Sequence, residues 1–244
     1  MIWERATVAV TGGSRGIGRE TALRFAELGA ARVAIGYLRN DSAAEQTAEE
    51  LRAKGAEPVL VRGNVSSDRV VGEFAELEPA VLVHNAATGV IRPALETQDK
   101  HWDWTHHANA RALLSLARAA APRMPDGASI VGISSLGSQR VLDNYSLVGT
   151  SKAAVEALVR YLAVELAPRG IRVNAVSAGL VETGALEHFP DREAMLREFA
   201  ARTPAKRLVE PDDIAALVCF LASPSAEMIR GQTVVLDGGF SLPA

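Results

Sequence analysis

The sequence predicts an α/β protein in three layers: one doubly wound sheet of about seven parallel strands with helices on both faces. Three observations carry that expectation. Short β-branched runs alternate with longer amphipathic stretches, the runs are too uniformly apolar to leave one face wet, and a glycine-rich turn joins the first run to the first helix. With 244 residues, 48% of them apolar, the chain can bury a core large enough for a single domain spanning 1–244.

The first strand is "ATVAVT" (6–11), followed by apolar residues at helical spacing over 18–30, with Gly29 as the stop. "RVAIGY" (32–37) is the second strand, and residues 40–55 form the second helix, ended by Gly55. "PVLVRG" (58–63) and "AVLVHN" (80–85) follow, then the longest amphipathic stretch, 100–124. "ASIVGIS" (128–134), a helix over 151–170 stopped by Gly170, "IRVNAVS" (171–177) and "QTVVLDG" (232–238) complete the alternation. Residues 184–208 break the rhythm, being longer than an ordinary connection. Ligands of open α/β sheets sit beyond the carboxyl ends of the strands, where this segment emerges, so it reads as a substrate lid.

Composition narrows the function. The net charge is −3 with scattered basic residues, which excludes the footprint of a nucleic-acid binder. One cysteine leaves no internal disulfide, and no apolar run approaches a membrane span. Without a charged-then-apolar leader at Met1–Thr11, a cytoplasmic protein with no membrane partner is expected.

"TGGSRGIG" (11–18) stands where a glycine-rich motif binds a dinucleotide, between a strand and a helix. Gly12 permits the tight turn, Gly16 lets the backbone approach a pyrophosphate, and Gly18 allows close packing of the helix, whose N-terminal N–H groups face the anion. The spacing, T-G-x-x-x-G-x-G, resembles that of the short-chain dehydrogenase/reductase family, and the resemblance runs over nearly the full length. "NVSS" (64–67) is similar to the family's adenine-contacting pair, here Asn64 and Val65. "HNAAT" (84–88) is similar to its Asn-Ala-Gly turn, with Asn85, Ala86 and then Ala87 where glycine is usual. "VSAGLVET" (176–183) resembles the segment that holds the nicotinamide amide, with Ala178 in place of proline, and "IRGQTVVLDGG" (229–239) resembles the closing strand. The resemblance implies a Rossmann-like fold and a homotetramer assembled through the two long helices. It also implies a nicotinamide dinucleotide held by Gly12, Ser14, Arg15, Gly16, Ile17, Gly18, Asn64, Val65, Asn85, Ala86, Ala87, Val181 and Thr183, with Asn109 as a structural and catalytic residue.

Charge selects the nucleotide. The second strand ends in "GYLRN" (36–40), with no carboxylate to accept from a ribose 2′-hydroxyl. Arg39 and Arg15 instead offer guanidiniums to a 2′-phosphate, so NADP(H) is the expected cofactor.

"NYSLVGTSK" (144–152) sets the chemistry. A phenol with a pKa near 10 is a poor acid at neutral pH, and a nearby ammonium favours its ionised form. Lys152 is the ammonium, but the residue four before it, where the family carries its tyrosine, is Val148; the phenol is at Tyr145. On a helix, residues four apart differ by about 40° around the axis and residues seven apart by about 20°, with rises of about 6 Å and 10.5 Å. Tyr145 therefore keeps the direction and changes the reach. Ketone reduction places hydride and proton on adjacent atoms, whereas reduction of an α,β-unsaturated thioester puts hydride on the β-carbon and negative charge on an oxygen two bonds farther on. The longer spacing suits the second reaction.

Here the resemblance sharpens. The stretch from Asn144 to Leu166, with "ISSLGS" (133–138), "NAATGVIRPALE" (85–96), "HWDWT" (101–105), "HFPDRE" (188–193) and "AEMIRGQT" (226–233), resembles the NADPH-dependent third class of enoyl-acyl carrier protein reductase. That implies Tyr145 as donor to the enolate and Lys152 as ribose ligand and modulator of the phenol, both touching the cofactor, with Ser135 in the place of the family serine. The substrate would be an acyl thioester on coenzyme A or an acyl carrier protein. The chain departs from the family in a segment between Asn64 and Asn85 about six residues shorter than usual, which thins one helix, and in "HHAN" (106–109). A 3-oxoacyl reductase tolerating the shifted tyrosine and a non-catalytic NADP(H)-sensing protein are the rivals.

Other signals read as structural. His106 and His107 point about 100° apart on a helix with no ligand cluster beside them, so no metal site is expected. Cys219 lies in an apolar helical stretch and reads as core. Trp102 and Trp104 fit either a pocket lining or packing, and Arg197, Arg202, Lys206 and Arg207 read as a solvated face near the lid.

Overall fold

The computed structural model describes residues 3–181 and 192–242. Among them, β1 (Thr7–Thr11), β2 (Arg32–Tyr37), β3 (Glu57–Arg62), β4 (Val81–His84), β5 (Ser129–Ser135), β6 (Arg172–Ala178) and β7 (Thr233–Leu236) form one parallel sheet in the order β3-β2-β1-β4-β5-β6-β7. Each expected run is a strand, with ends displaced by a residue or two.

Period-two alternation divides the core. Val8 and Val10 of β1 join Phe25, Leu51 and Ile214 on one face, while Ala9 joins Phe74, Leu113, Leu116 and Val155 on the other. The first face is therefore covered by α1 (Gly16–Glu27), α2 (Asp41–Ala53) and α8 (Pro211–Ala222). The second is covered by α3 (Asp68–Glu76), α5 (Ala112–Ala120) and α6 (Ser146–Glu165). Phe25 and Phe74, fully buried, stabilise their layers by roughly 1.5–3 kcal/mol each. No described helix is long and apolar enough to cross a membrane.

The helices differ from expectation in two places that matter. The stretch expected as one helix over 100–124 is α4 (Asp99–His106) and α5 joined by a wide π turn, His107–Arg111, which carries Asn109. Apolar periodicity does not register a single wide turn, which shifts the helix phase by less than one residue's spacing. Helix α6 begins at Ser146, five residues before the expected start at 151, and Tyr145 is its N-cap, with φ −100° and ψ 8°. Gly149 and Thr150 are weak helix formers and hid that first turn. The Tyr145 carbonyl accepts from Gly149 N at 2.7 Å, which makes it the first acceptor of the helix that carries Lys152.

Of the expected lid, residues 184–191 lie outside the described residues; the remainder is α7 (Arg192–Arg202) and the turn into α8. The Phe199 ring of α7 stacks on Phe240 at 4.7 Å, which fixes the helix against the C-terminal segment. Strand order reverses between β1 and β4, where Thr11 pairs with His84, and this is the crevice in which doubly wound sheets bind ligands.

Candidate active site

A cleft of about 450 Å³ opens beyond the carboxyl ends of β1 and β4. Its floor is the turn from Gly12 to Ile17. Gly12 has φ +66°, which a side chain resists. At Gly18 an added Cβ would lie 2.2 Å from Gly12 O and 2.5 Å from Asn85 Nδ2, so only glycine lets α1 approach the turn this closely. Asn85 Nδ2 donates to Thr11 O (3.1 Å) and Gly12 O (3.0 Å), stitching the glycine turn to the turn after β4. The N-terminus of α1 faces the same space, and no side chain caps it. These features fit a dinucleotide: the backbone is held open where a pyrophosphate would lie, beside unpaired N–H donors.

The expected nucleotide residues Gly12, Ser14, Arg15, Gly16, Ile17, Asn64, Val65, Asn85, Ala86 and Ala87 line the cleft. Gly18 acts from behind the wall. Asn64 turns its Oδ1 onto Ser66 N at 2.9 Å, so its side chain shapes the β3 turn. Arg15 is exposed at the rim, while Arg39 is exposed and stands outside the lining. The carboxylate nearest that end of β2, Asp41, is engaged by Arg62 at 3.4 Å. Val181 is buried and bridges to Val209; Thr183 lies outside the described residues.

The residues expected to carry the chemistry meet at the carboxyl end of β5. Tyr145 OH donates to Ser135 Oγ at 3.3 Å, and Lys152 Nζ donates to Ile133 O at 2.7 Å. Asn109 Nδ2 donates to Thr88 O (2.9 Å) and Ser151 Oγ (2.8 Å), and its Oδ1 accepts from Thr88 N (2.8 Å). The cleft wall ends at Thr88, which Asn109 thus ties to the residue before Lys152. Tyr145 and Lys152, expected to touch the cofactor, lie beyond that wall.

Charge differs from expectation here. Burial pushes the Lys152 ammonium down to about 8. Burial also raises the Tyr145 phenol above its usual value, opposed by the Ser135 hydroxyl and not by Lys152. In the free protein, burial and the Ser135 hydroxyl are thus the influences that set this phenol. A phenol held in its neutral form is a hydrogen-bond donor through neutral pH, able to meet a developing oxyanion without surrendering its proton. Val148, at the family's tyrosine position, is 7% exposed, and an added Cβ on Gly89 would lie 2.2 Å from its Cγ2. That space is filled by packing.

Two residues, His84 and Glu156, escaped the sequence reading. His84 is buried between β1 and the π turn. Glu156 is 4% exposed and accepts from Ser134 Oγ (2.6 Å), Ser138 Oγ (2.5 Å) and Gln139 Nε2 (2.9 Å), anchoring the loop that follows Ser135. A glutamate inside the otherwise apolar face of 153–166 was its sequence signal. Trp104 lines the cleft with Val65 and Ala108, whereas Trp102 stacks on His106 at 3.8 Å. Cys219 is buried, its thiol pushed up to about 12 by burial, so it is core. Arg197, Arg202 and Arg207 pair with Glu193, Glu198 and Asp213.

Comparison with known proteins agrees with this geometry. A family model described as enoyl-(acyl carrier protein) reductase matches residues 12–241. The 1-cyclohexenylcarbonyl-CoA reductase of Streptomyces collinus is 36% identical over 98% of this chain and 88% of its own length. A 3-oxoacyl-(acyl-carrier-protein) reductase of Staphylococcus epidermidis is 35% identical over 94% of this chain and 96% of its own. A blue fluorescent protein from a metagenomic library, solved with NADPH, superposes with a TM-score of 0.91 at 30% identity, covering 99% of this chain and 100% of that one. A short-chain dehydrogenase/reductase from Serratia marcescens gives a TM-score of 0.91 at 29% identity with the same coverage.

Proposed function

The chain belongs to the short-chain dehydrogenase/reductase family of oxidoreductases, and from that premise we propose that it reduces the α,β double bond of an enoyl thioester with NADPH. One observation carries the reading: the phenol at the end of β5 comes from Tyr145, bonded to Ser135, while valine fills the place four residues before Lys152. A neutral phenol set one turn back is matched to charge on the thioester oxygen. It is poorly matched to an oxygen adjacent to the hydride acceptor.

When bound, reduced nicotinamide supplies hydride to the β-carbon. Tyr145 donates a hydrogen bond to the thioester oxygen as charge gathers there, turning from Ser135 to do so, and Ser135 remains within reach as a second hydroxyl. Burial of these groups strengthens the interaction by excluding water. A proton from water then goes to the α-carbon and the thioester carbonyl re-forms. Lys152, held on Ile133 O beyond Thr88, would keep further N–H donors for the hydroxyls of a ribose reaching past the cleft wall, and Arg15 at the rim would hold a 2′-phosphate. The Streptomyces relative's name describes a thioester with a carbon–carbon double bond conjugated to its carbonyl, which supports this substrate class.

The Staphylococcus relative keeps ketone reduction as the second reading. Purified protein with NADPH and either crotonyl-CoA or acetoacetyl-CoA separates the two. Oxidation of NADPH with crotonyl-CoA alone supports the proposal; oxidation with acetoacetyl-CoA alone overturns it, and with neither the chain is not a reductase of this kind.

A further inference from the structure

His84 joins the glycine turn, the turn after β4 and the π turn carrying Asn109, although it touches no space in which substrate would lie. Its Nε2 is 2.8 Å from Asn109 O and its Nδ1 is 3.3 Å from Thr11 Oγ1. A carbonyl only accepts, so Nε2 must bear the proton and Nδ1 must be the bare nitrogen. That assignment orients Thr11. The threonine hydroxyl receives Asn85 N at 3.1 Å and Ala86 N at 3.0 Å, which occupies its two lone pairs, so its own proton goes to His84 Nδ1 or to Val83 O at 3.5 Å. The shorter contact is to the histidine.

We propose that His84 is a positioning residue for the nucleotide cleft: its fixed tautomer turns the Thr11 hydroxyl onto the Asn85 and Ala86 amides, while its other nitrogen pins the wide turn that presents Asn109. Asn85 and Ala86 line the cleft, and Asn109 clamps Thr88 at the end of its wall, so one imidazole sets two borders of the same site. The neutral ring is the only form that works, because a proton on Nδ1 would face a hydroxyl with no free lone pair. The surroundings hold it neutral: complete burial, and next the charge of Lys152, push it down to about 4. The inference rests on nucleotide binding in the proposed function and not on the identity of the thioester.

The test is a double-mutant cycle on NADPH affinity, read by nucleotide fluorescence without substrate. His84→Leu and Thr11→Val should each weaken binding roughly five- to ten-fold, the loss expected for one buried hydrogen bond, and the double variant should bind no worse than the weaker single. His84→Asn places an amide near the Nδ1 position but cannot reach Asn109 O. It should therefore hold NADPH affinity within about two-fold while lowering kcat, a split that a merely space-filling residue would not give. Additive losses in the cycle, or equal losses for the Asn and Leu variants, would overturn the inference. Should His84→Leu fail to fold, the Asn variant against Thr11→Val decides alone. Failure of the unmodified protein to bind NADPH would sink the cofactor reading itself, whereas failure with crotonyl-CoA would leave the His84 test standing.

Discussion

Replacing Tyr145 by Phe removes one hydroxyl and leaves the ring where it packs, over Gly137, with its carbonyl still accepting from Gly149. If that hydroxyl is the donor to the thioester oxygen, its loss removes an interaction made chiefly in the transition state. Loss of a single donor of this kind typically lowers kcat by about 10²–10³, or about 2.7–4 kcal/mol. Ser135 Oγ stands 3.3 Å from the phenol and remains after the substitution, so a partial replacement donor is at hand and the lower end, about 10²-fold, is expected. The hydroxyl bonds to Ser135 and carries no charge, so its removal should change NADPH affinity by less than about two-fold. Steady-state turnover of crotonyl-CoA, with nucleotide binding measured separately, reads both quantities. A Phe variant turning over within about three-fold of the unmodified protein would remove Tyr145 from the mechanism. A loss confined to NADPH affinity would make it a cofactor contact only.

Four further outcomes follow from the geometry. Lys152, at about 8, is charged below that pH and neutral above it, so NADPH affinity of the free protein should weaken as pH rises through about 8, and Lys152→Met should flatten the profile; an unbent profile in the unmodified protein would refute the shift. Gly18→Ala puts a Cβ against Gly12 O and should destabilise the fold by roughly 1–3 kcal/mol and abolish nucleotide binding, checked by denaturant unfolding and fluorescence titration. Arg15→Ala should weaken NADPH binding about ten-fold with little change for NADH, and Arg39→Ala, outside the lining, should do less; equal effects on both nucleotides would deny Arg15 a 2′-phosphate role. Trp104→Ala should weaken 2′,5′-ADP and NADPH by the same factor, about five-fold or more, if the indole faces the base beside Val65.

The sequence made the layers legible because burial on both faces leaves a plain mark: every strand is a short apolar run, and every crossover shows helical spacing. The glycine turn was legible for a different reason. Gly12 and Gly18 are places where any side chain collides with backbone or with Asn85, so the physical demand falls directly on residue identity. Hubs built from hydrogen bonds leave no such mark. His84 reads as one polar residue ending an apolar strand, and Glu156 as one charge on a helix, although each joins elements far apart in the chain. Partners such as Thr11 and Asn109 become visible only when the sheet order brings β1 beside β4.

The shifted phenol lies between these cases, and the structure changes the reason for its position. Helical geometry set the expected reach of Tyr145; in the structure its hydroxyl meets Ser135, while the Lys152 ammonium bonds to Ile133 O. The two effects on the phenol oppose each other, and the larger, burial, wins, so the group remains a neutral donor. A ketone reductase benefits from a phenol that gives up its proton readily, because the alkoxide it serves must leave protonated. A donor to an enolate need only hold the charge until a carbon atom takes the proton. A phenol that burial raises in the free protein is suited to holding charge as a neutral donor, which is what the proposed enoyl chemistry asks of it.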